Sequence, residues 1–166
     1  MPALTESAKV NDISSSELSQ RVALIKRFKE LLKAQRERLR VYLDSLDRQK
    51  DIIQSGTTDD LIRHVELEEN IITDIFSIQK VIDPLEKMYR SVKQDVPLSE
   101  GREVSGLKET LENLKVEAAV RSERNKELLS KRMVEIRSEI KSLRSNPYAR
   151  RRSEPAVVPT QVDIRG

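Results

Sequence analysis

The 166-residue chain has no cysteine and no tryptophan. Without cysteine there is no disulfide, no thiol nucleophile and no zinc–thiolate site. The lack fits a cytoplasmic protein, although many exported proteins also lack cysteine. His64 is the single histidine. A Ser-His-Asp triad has to use it, and a multi-histidine metal site within one chain is excluded. The five aromatics are Phe28, Tyr42, Phe76, Tyr89 and Tyr148. Glycine occurs four times and proline six, so turns are few. A β-sandwich or barrel needs many turns and many aromatic and β-branched residues, which nearly excludes that class. No apolar run approaches the roughly 18 residues of a membrane-spanning helix, so no membrane insertion is expected. The first 17 residues hold no apolar core of a signal peptide, so no secretory signal is expected.

What is present is charge. Charged residues make up 36% of the chain and apolar residues 37%, a balance that suits a few long helices with one narrow apolar stripe each. The net charge of +3 is unevenly placed. Residues 141–166 carry six basic and two acidic groups, so the rest of the chain is slightly acidic.

Residues 1–13 lack periodicity and read as a disordered tail. Ser14 and Glu17 have capping-box spacing. The first helix is expected over 15–54, with a heptad seam of Ile25, Phe28, Leu32, Gln35, Leu39, Tyr42, Leu46, Gln49 and Ile53. At about 1.5 Å per residue it extends about 60 Å, which makes the body a rod. Gly56 suits a left-handed helix end, and Thr57 or Thr58 can cap the next helix. That second helix is expected over 59–94. Its seam is Leu61, Val65, Glu68, Ile72, Ile75, Gln79 and Ile82, with a ladder of Ile71, Ile78, Leu85 and Val92 beside it. That wider face suits the middle helix of the bundle. Pro84 bends or splits it. Residues 95–106 contain Pro97, Gly101 and Gly106 and read as a poorly ordered link. The third helix is expected over 107–145, stopped by Asn146-Pro147. Residues 147–166 read as a flexible basic tail. The expected fold is all-α: an elongated antiparallel bundle of three long helices over 14–146, with disordered tails.

The third helix carries two apolar stretches, Leu107 to Ala118 and Leu128 to Leu143, separated by Arg121 and Asn125. Polar seam residues such as Gln35, Gln49, Glu68 and Gln79 read mostly as positions drifting toward solvent. Arg121 and Asn125 fit that reading less well. The second stretch is apolar, terminal and set apart, and an exposed apolar stripe normally marks a partner site. A partner helix is expected on Asn125, Leu128, Leu129, Met133, Ile136, Ile140 and Leu143. No catalytic constellation, cofactor site or metal site is expected. A di-iron bundle needs two Glu-x-x-His pairs, whereas Leu61 precedes His64 by three and there is no second histidine. His64 reads as a boundary residue. Arg150-Arg151-Arg152 is a short basic run with only Tyr148 for stacking, and nucleic-acid binding is not expected. From spacing alone Tyr148 is either folded back on the bundle or an exposed anchor.

Four features in order resemble the FlgN family of flagellar export chaperones. Glu30-Leu31-Leu32 followed by Gln35 and Leu39 resembles the family's opening helix. Ser55-Gly56-Thr57-Thr58-Asp59 falls at its break between two long helices. Asn125-Lys126-Glu127-Leu128-Leu129 is similar to its Asn-x-x-Leu-Leu step, and Tyr148 stands where a tyrosine often follows the last helix. Ala149 stands where the family commonly has glycine, and residues 150–166 have no counterpart there. The resemblance covers about residues 18–148. It implies a cytoplasmic chaperone that binds the C-terminal amphipathic segments of the hook–filament junction proteins FlgK and FlgL. It implies delivery to the export gate protein FlhA, with Tyr148 as a gate contact. The competing expectation is a coiled-coil scaffold that self-assembles through the same stripes; a monomer or weak homodimer suits the chaperone and a tight oligomer the scaffold.

Overall fold

A computed structural model describes residues 14–145. The expected tails and Tyr148 lie outside the described residues. Three long helices and one short turn make up the described residues: α1 (Ser15–Ser55), α2 (Thr58–Val92), a 3-10 turn (Lys93–Asp95) and α3 (Leu98–Ser145). Among the described residues there is no strand. The architecture is the expected all-α bundle of long helices.

Local chemistry sets the ends. The Glu17 amide donates to Ser14 Oγ at 3.2 Å and caps α1. Thr57 and Asp60 form a reciprocal capping box at α2, at 3.1 Å in each direction. Gly56 is not left-handed, contrary to expectation; its φ is −88° and its ψ 175°. Close approach explains the glycine instead. A Cβ there stands 2.8 Å from the Ile52 carbonyl oxygen and 2.9 Å from Ile52 Cγ2. α2 runs unbroken through Pro84, so the proline does not split it.

The expected link at 95–106 is mostly helix: α3 begins at Leu98 and passes through Gly101 and Gly106. Two interior glycines cost about 1 kcal/mol each relative to alanine. Packing outweighs that cost, because Val104, Leu107 and Leu111 are buried against α1. Lys29 of α1 also bridges Glu100 and Glu103 on the first turns of α3.

The middle position belongs to α1, not α2 as its wide apolar face suggested. α1 packs along both other helices, while α2 and α3 meet little. Its heptad seam is the spine of the core, with Phe28 and Leu46 fully buried. One core cluster draws on all three helices: Phe28, Leu32 and Leu39 from α1, Ile82 and Tyr89 from α2, Val104, Leu107 and Leu111 from α3. The Phe28 and Tyr89 rings lie 5.1 Å apart, tilted by 37°. The second cluster, nearer the α1–α2 turn, contains Leu43, Leu46 and Ala118, with Tyr42 and Leu114 against it. No α2 residue joins it. α2 therefore stands off from α3 in the upper half of the rod.

α1 and α3 run parallel. Lys29 meets Glu103, Leu43 meets Arg121, and Leu46 meets Asn125, offsets of 74, 78 and 79 residues that all run in the same direction. Ser55, the last residue of α1, thus lies level with about residue 132. The remaining 13 or so residues of α3 extend past the hairpin by about 20 Å. Residues 133–145 form an overhang.

Candidate functional site

The overhang leaves the expected stripe bare. Met133, Ile136, Ile140 and Leu143 are 46%, 40%, 45% and 43% exposed. Leu128 and Leu129 are half-buried, at the level where α1 ends. The stripe shares one helix face because its steps of three and four keep the side chains aligned.

Asn125 is a correction. It is 3% exposed and belongs to the bundle interior. Its Nδ2 donates to the Leu46 carbonyl oxygen at 2.8 Å and to Gln49 Oε1 at 2.9 Å. Gln49 Nε2 in turn donates to Glu68 Oε2 at 2.7 Å, so one amide chain ties all three helices together. Both Asn125 amide protons are used, which withdraws the residue from any partner. Arg121 serves the same layer. Its Nη1 donates to Asp47 at 3.0 Å and lies 3.4 Å from the Leu43 carbonyl oxygen. Arg124 donates to Asp47 at 3.1 Å. The polar gap in the α3 seam is thus a register lock rather than a drift toward solvent.

Gln35 also departs from the drift reading. It is fully buried, and its Nε2 donates to the Ile75 carbonyl oxygen at 3.0 Å. His64 is buried as well, with Nε2 3.2 Å from Ser45 Oγ. Burial raises the Glu68 carboxyl above its ordinary value, partly offset by nearby His64 and Tyr42. Burial also raises the Tyr42 hydroxyl, and the charge of Glu68 adds to that.

Below the overhang an open groove follows the gap between α2 and α3. Its upper part, about 210 Å³, is lined by Ile53, Leu61, Val65, Glu68, Ser122, Asn125 and Leu129, with Gln49 and Lys126. Its lower part, about 380 Å³, has Leu39 and Tyr42 as floor, Ile72, Ile75 and Phe76 on one wall, and Ala118, Ala119 and Ser122 on the other. Ser122 lines both parts, and Leu129 joins the upper part to the stripe. Reading the sequence by seams missed this lower part. Its signals were Phe76, an aromatic beside the seam, and Ala118-Ala119, a small pair that holds the wall open.

Among the described residues no group of three or more His, Asp or Glu side chains is placed to hold a metal ion. No described helix is long and apolar enough to cross a membrane.

Fold and face together define a class: an all-α helical-bundle protein with an open apolar face at one end. No family model and no solved structure matches the chain. A protein of Treponema pallidum (strain Nichols), described as uncharacterized, is 30% identical over 133 residues, covering 80% of this chain and 83% of that one. The chain belongs to the family of that Treponema protein.

Proposed function

We propose that this protein is a cytoplasmic export chaperone of the FlgN type. Its apolar overhang holds the C-terminal amphipathic segments of the junction proteins FlgK and FlgL until they reach FlhA. The observation that carries the reading is the bare stripe Met133, Ile136, Ile140 and Leu143 on a helix that outruns its own bundle. A single helix has no partner for such a face, so its apolar surface remains in water until a second helix covers it. The groove between α2 and α3 lengthens the same seat downward. Tyr148 is the proposed gate contact.

The test is client capture by point variants. Ile136→Asp places a charge in the centre of the stripe without touching the core. Leu129→Asp does so where stripe and groove meet. Both variants are expected to lose client binding while far-UV circular dichroism keeps most of its helical signal. Unchanged affinity in both overturns the assignment. Sedimentation at several concentrations separates this reading from the scaffold: a tight oligomer that ignores dilution favours self-assembly.

A further inference from the structure

Several cations of the bundle reach across to a carboxylate on a neighbouring helix, and those of the overhang have no neighbouring helix to reach. The reach is not universal inside the bundle, since half-buried Arg36 pairs only with Glu37 of its own helix. Lys29 meets Glu103 at 3.1 Å, Lys108 meets Glu86 at 2.6 Å, and Arg38 meets Asp74 at 3.3 Å. Arg121 and Arg124 share Asp47. Along the stripe the same borders exist with no second helix opposite. At 100° per residue, Arg137 and Arg144 fall on one edge of the stripe, one heptad apart, and Lys126 falls on the same edge below them. Among the described residues Arg137 and Arg144 have no ion pair, and Lys126 reaches only Glu123 of its own helix, at 4.0 Å. The other edge is mixed: it carries Glu139 and Arg132, and Arg132 pairs with Glu135 of its own helix at 3.7 Å.

We infer that the occupant of the stripe is an amphipathic helix of another protein with carboxylates along the edge that meets Lys126, Arg137 and Arg144. This rests on the proposed docking role of the stripe and adds the charge that its partner carries. Charge complementarity fixes register and rejects wrong partners more than it adds affinity. It also argues against overhang-to-overhang pairing of two copies. Each overhang has five basic and two acidic side chains between residues 131 and 144, so the two repel. A lipid surface is the weaker candidate, since Glu135 and Glu139 face the same anionic headgroups and the stripe has no aromatic residue.

The test uses the full chain and two synthetic helical peptides of about 20 residues, long enough to cover the overhang. They share one leucine face and differ only in glutamate or lysine along one edge. The glutamate peptide is expected to bind about tenfold more tightly at low salt, with the ratio falling toward one as salt rises. In the double variant Arg137→Glu/Arg144→Glu the preference reverses. Equal binding of the two peptides overturns the charge rule and leaves the docking stripe standing. Binding of neither overturns both. Binding to vesicles of phosphatidylserine and phosphatidylcholine in preference to either peptide overturns the protein partner in favour of a membrane.

Discussion

α3 is one helix with two fates. In its first half the seam side chains Val104, Leu107, Leu111, Ala118 and Asn125 are sealed against α1, and from Met133 to Leu143 similar side chains stand in water. The seam spacing is the same in both halves, so the pattern of the residues does not decide which half is covered. Length decides it. α1 ends at Ser55, the offset between parallel helices is fixed by Asn125 and Arg121, and α3 continues past the level of that end. An exposed stripe therefore arises from unequal helix lengths and a locked register, not from a weaker core.

The largest expected effect sharpens that contrast. Phe28 is fully buried between α2 and α3, with Tyr89 against its ring. Phe28→Ala is expected to cost about 3–5 kcal/mol of unfolding free energy in urea titrations. Ile136→Ala, which removes an apolar side chain of the bare half, is expected to stay within about 0.5 kcal/mol. A comparable loss in both variants breaks the comparison, because it means that the overhang is packed in solution.

The register lock is the next lever. Asn125→Ala removes the amide that links Leu46 and Gln49 and leaves buried polar groups short of a partner. The expected cost is about 1–3 kcal/mol, again read from urea unfolding. Asn125→Leu removes the hydrogen bonds but keeps the volume. It is expected to recover part of the stability while permitting α3 to slip along α1. A spin-label pair on α1 and α3 reads that slip as a broadened distance distribution. A sharp, unchanged distance in Asn125→Leu removes the lock from Asn125 and assigns it to Arg121.

The period-3.5 seam of α1 was legible residue by residue, because apolar side chains at that spacing have one way to be buried on a rod. The hairpin at 55–58 was legible for a similar reason: its capping box is purely local. What escaped was long-range. Gly101 and Gly106 look like loop residues until Val104, Leu107 and Leu111 find α1, and no local rule contains that contact. The buried amides were misread too. Gln35 looks polar, hence solvated, and Asn125 looks like a contact for a partner, unless the neighbouring backbone carbonyls that accept from them are known. The stripe at 129–143 was visible as an apolar pattern. Its exposure was expected from its terminal place behind a polar break, but the cause, the point where α1 ends beside it, was not legible.

The smallest expected effect separates Glu68, beside the groove, from the ion-paired carboxylates of the base by pH. Glu68, beside the groove, has its carboxyl raised from 4.5 by burial. The folded state then holds the proton more tightly than the unfolded chain, so stability falls as pH rises from 4.5 through the elevated folded value. Glu86 and Glu103, near the base, are lowered from 4.5, by Lys108 and Lys29 respectively. Their contribution is complete above 4.5 and is lost as pH falls through their depressed folded values. The two windows lie on opposite sides of 4.5. Glu68→Gln keeps an acceptor for Gln49 Nε2 and removes only the titration. Urea midpoints from about pH 2 to about pH 8 are expected to lose the decline above 4.5, leaving the variant modestly more stable than the parent at neutral pH. The acid-side loss persists, because Glu86 and Glu103 remain. If the variant instead keeps the decline above 4.5, another group titrates there, and the upper polar layer is as well solvated as the surface carboxylates around it.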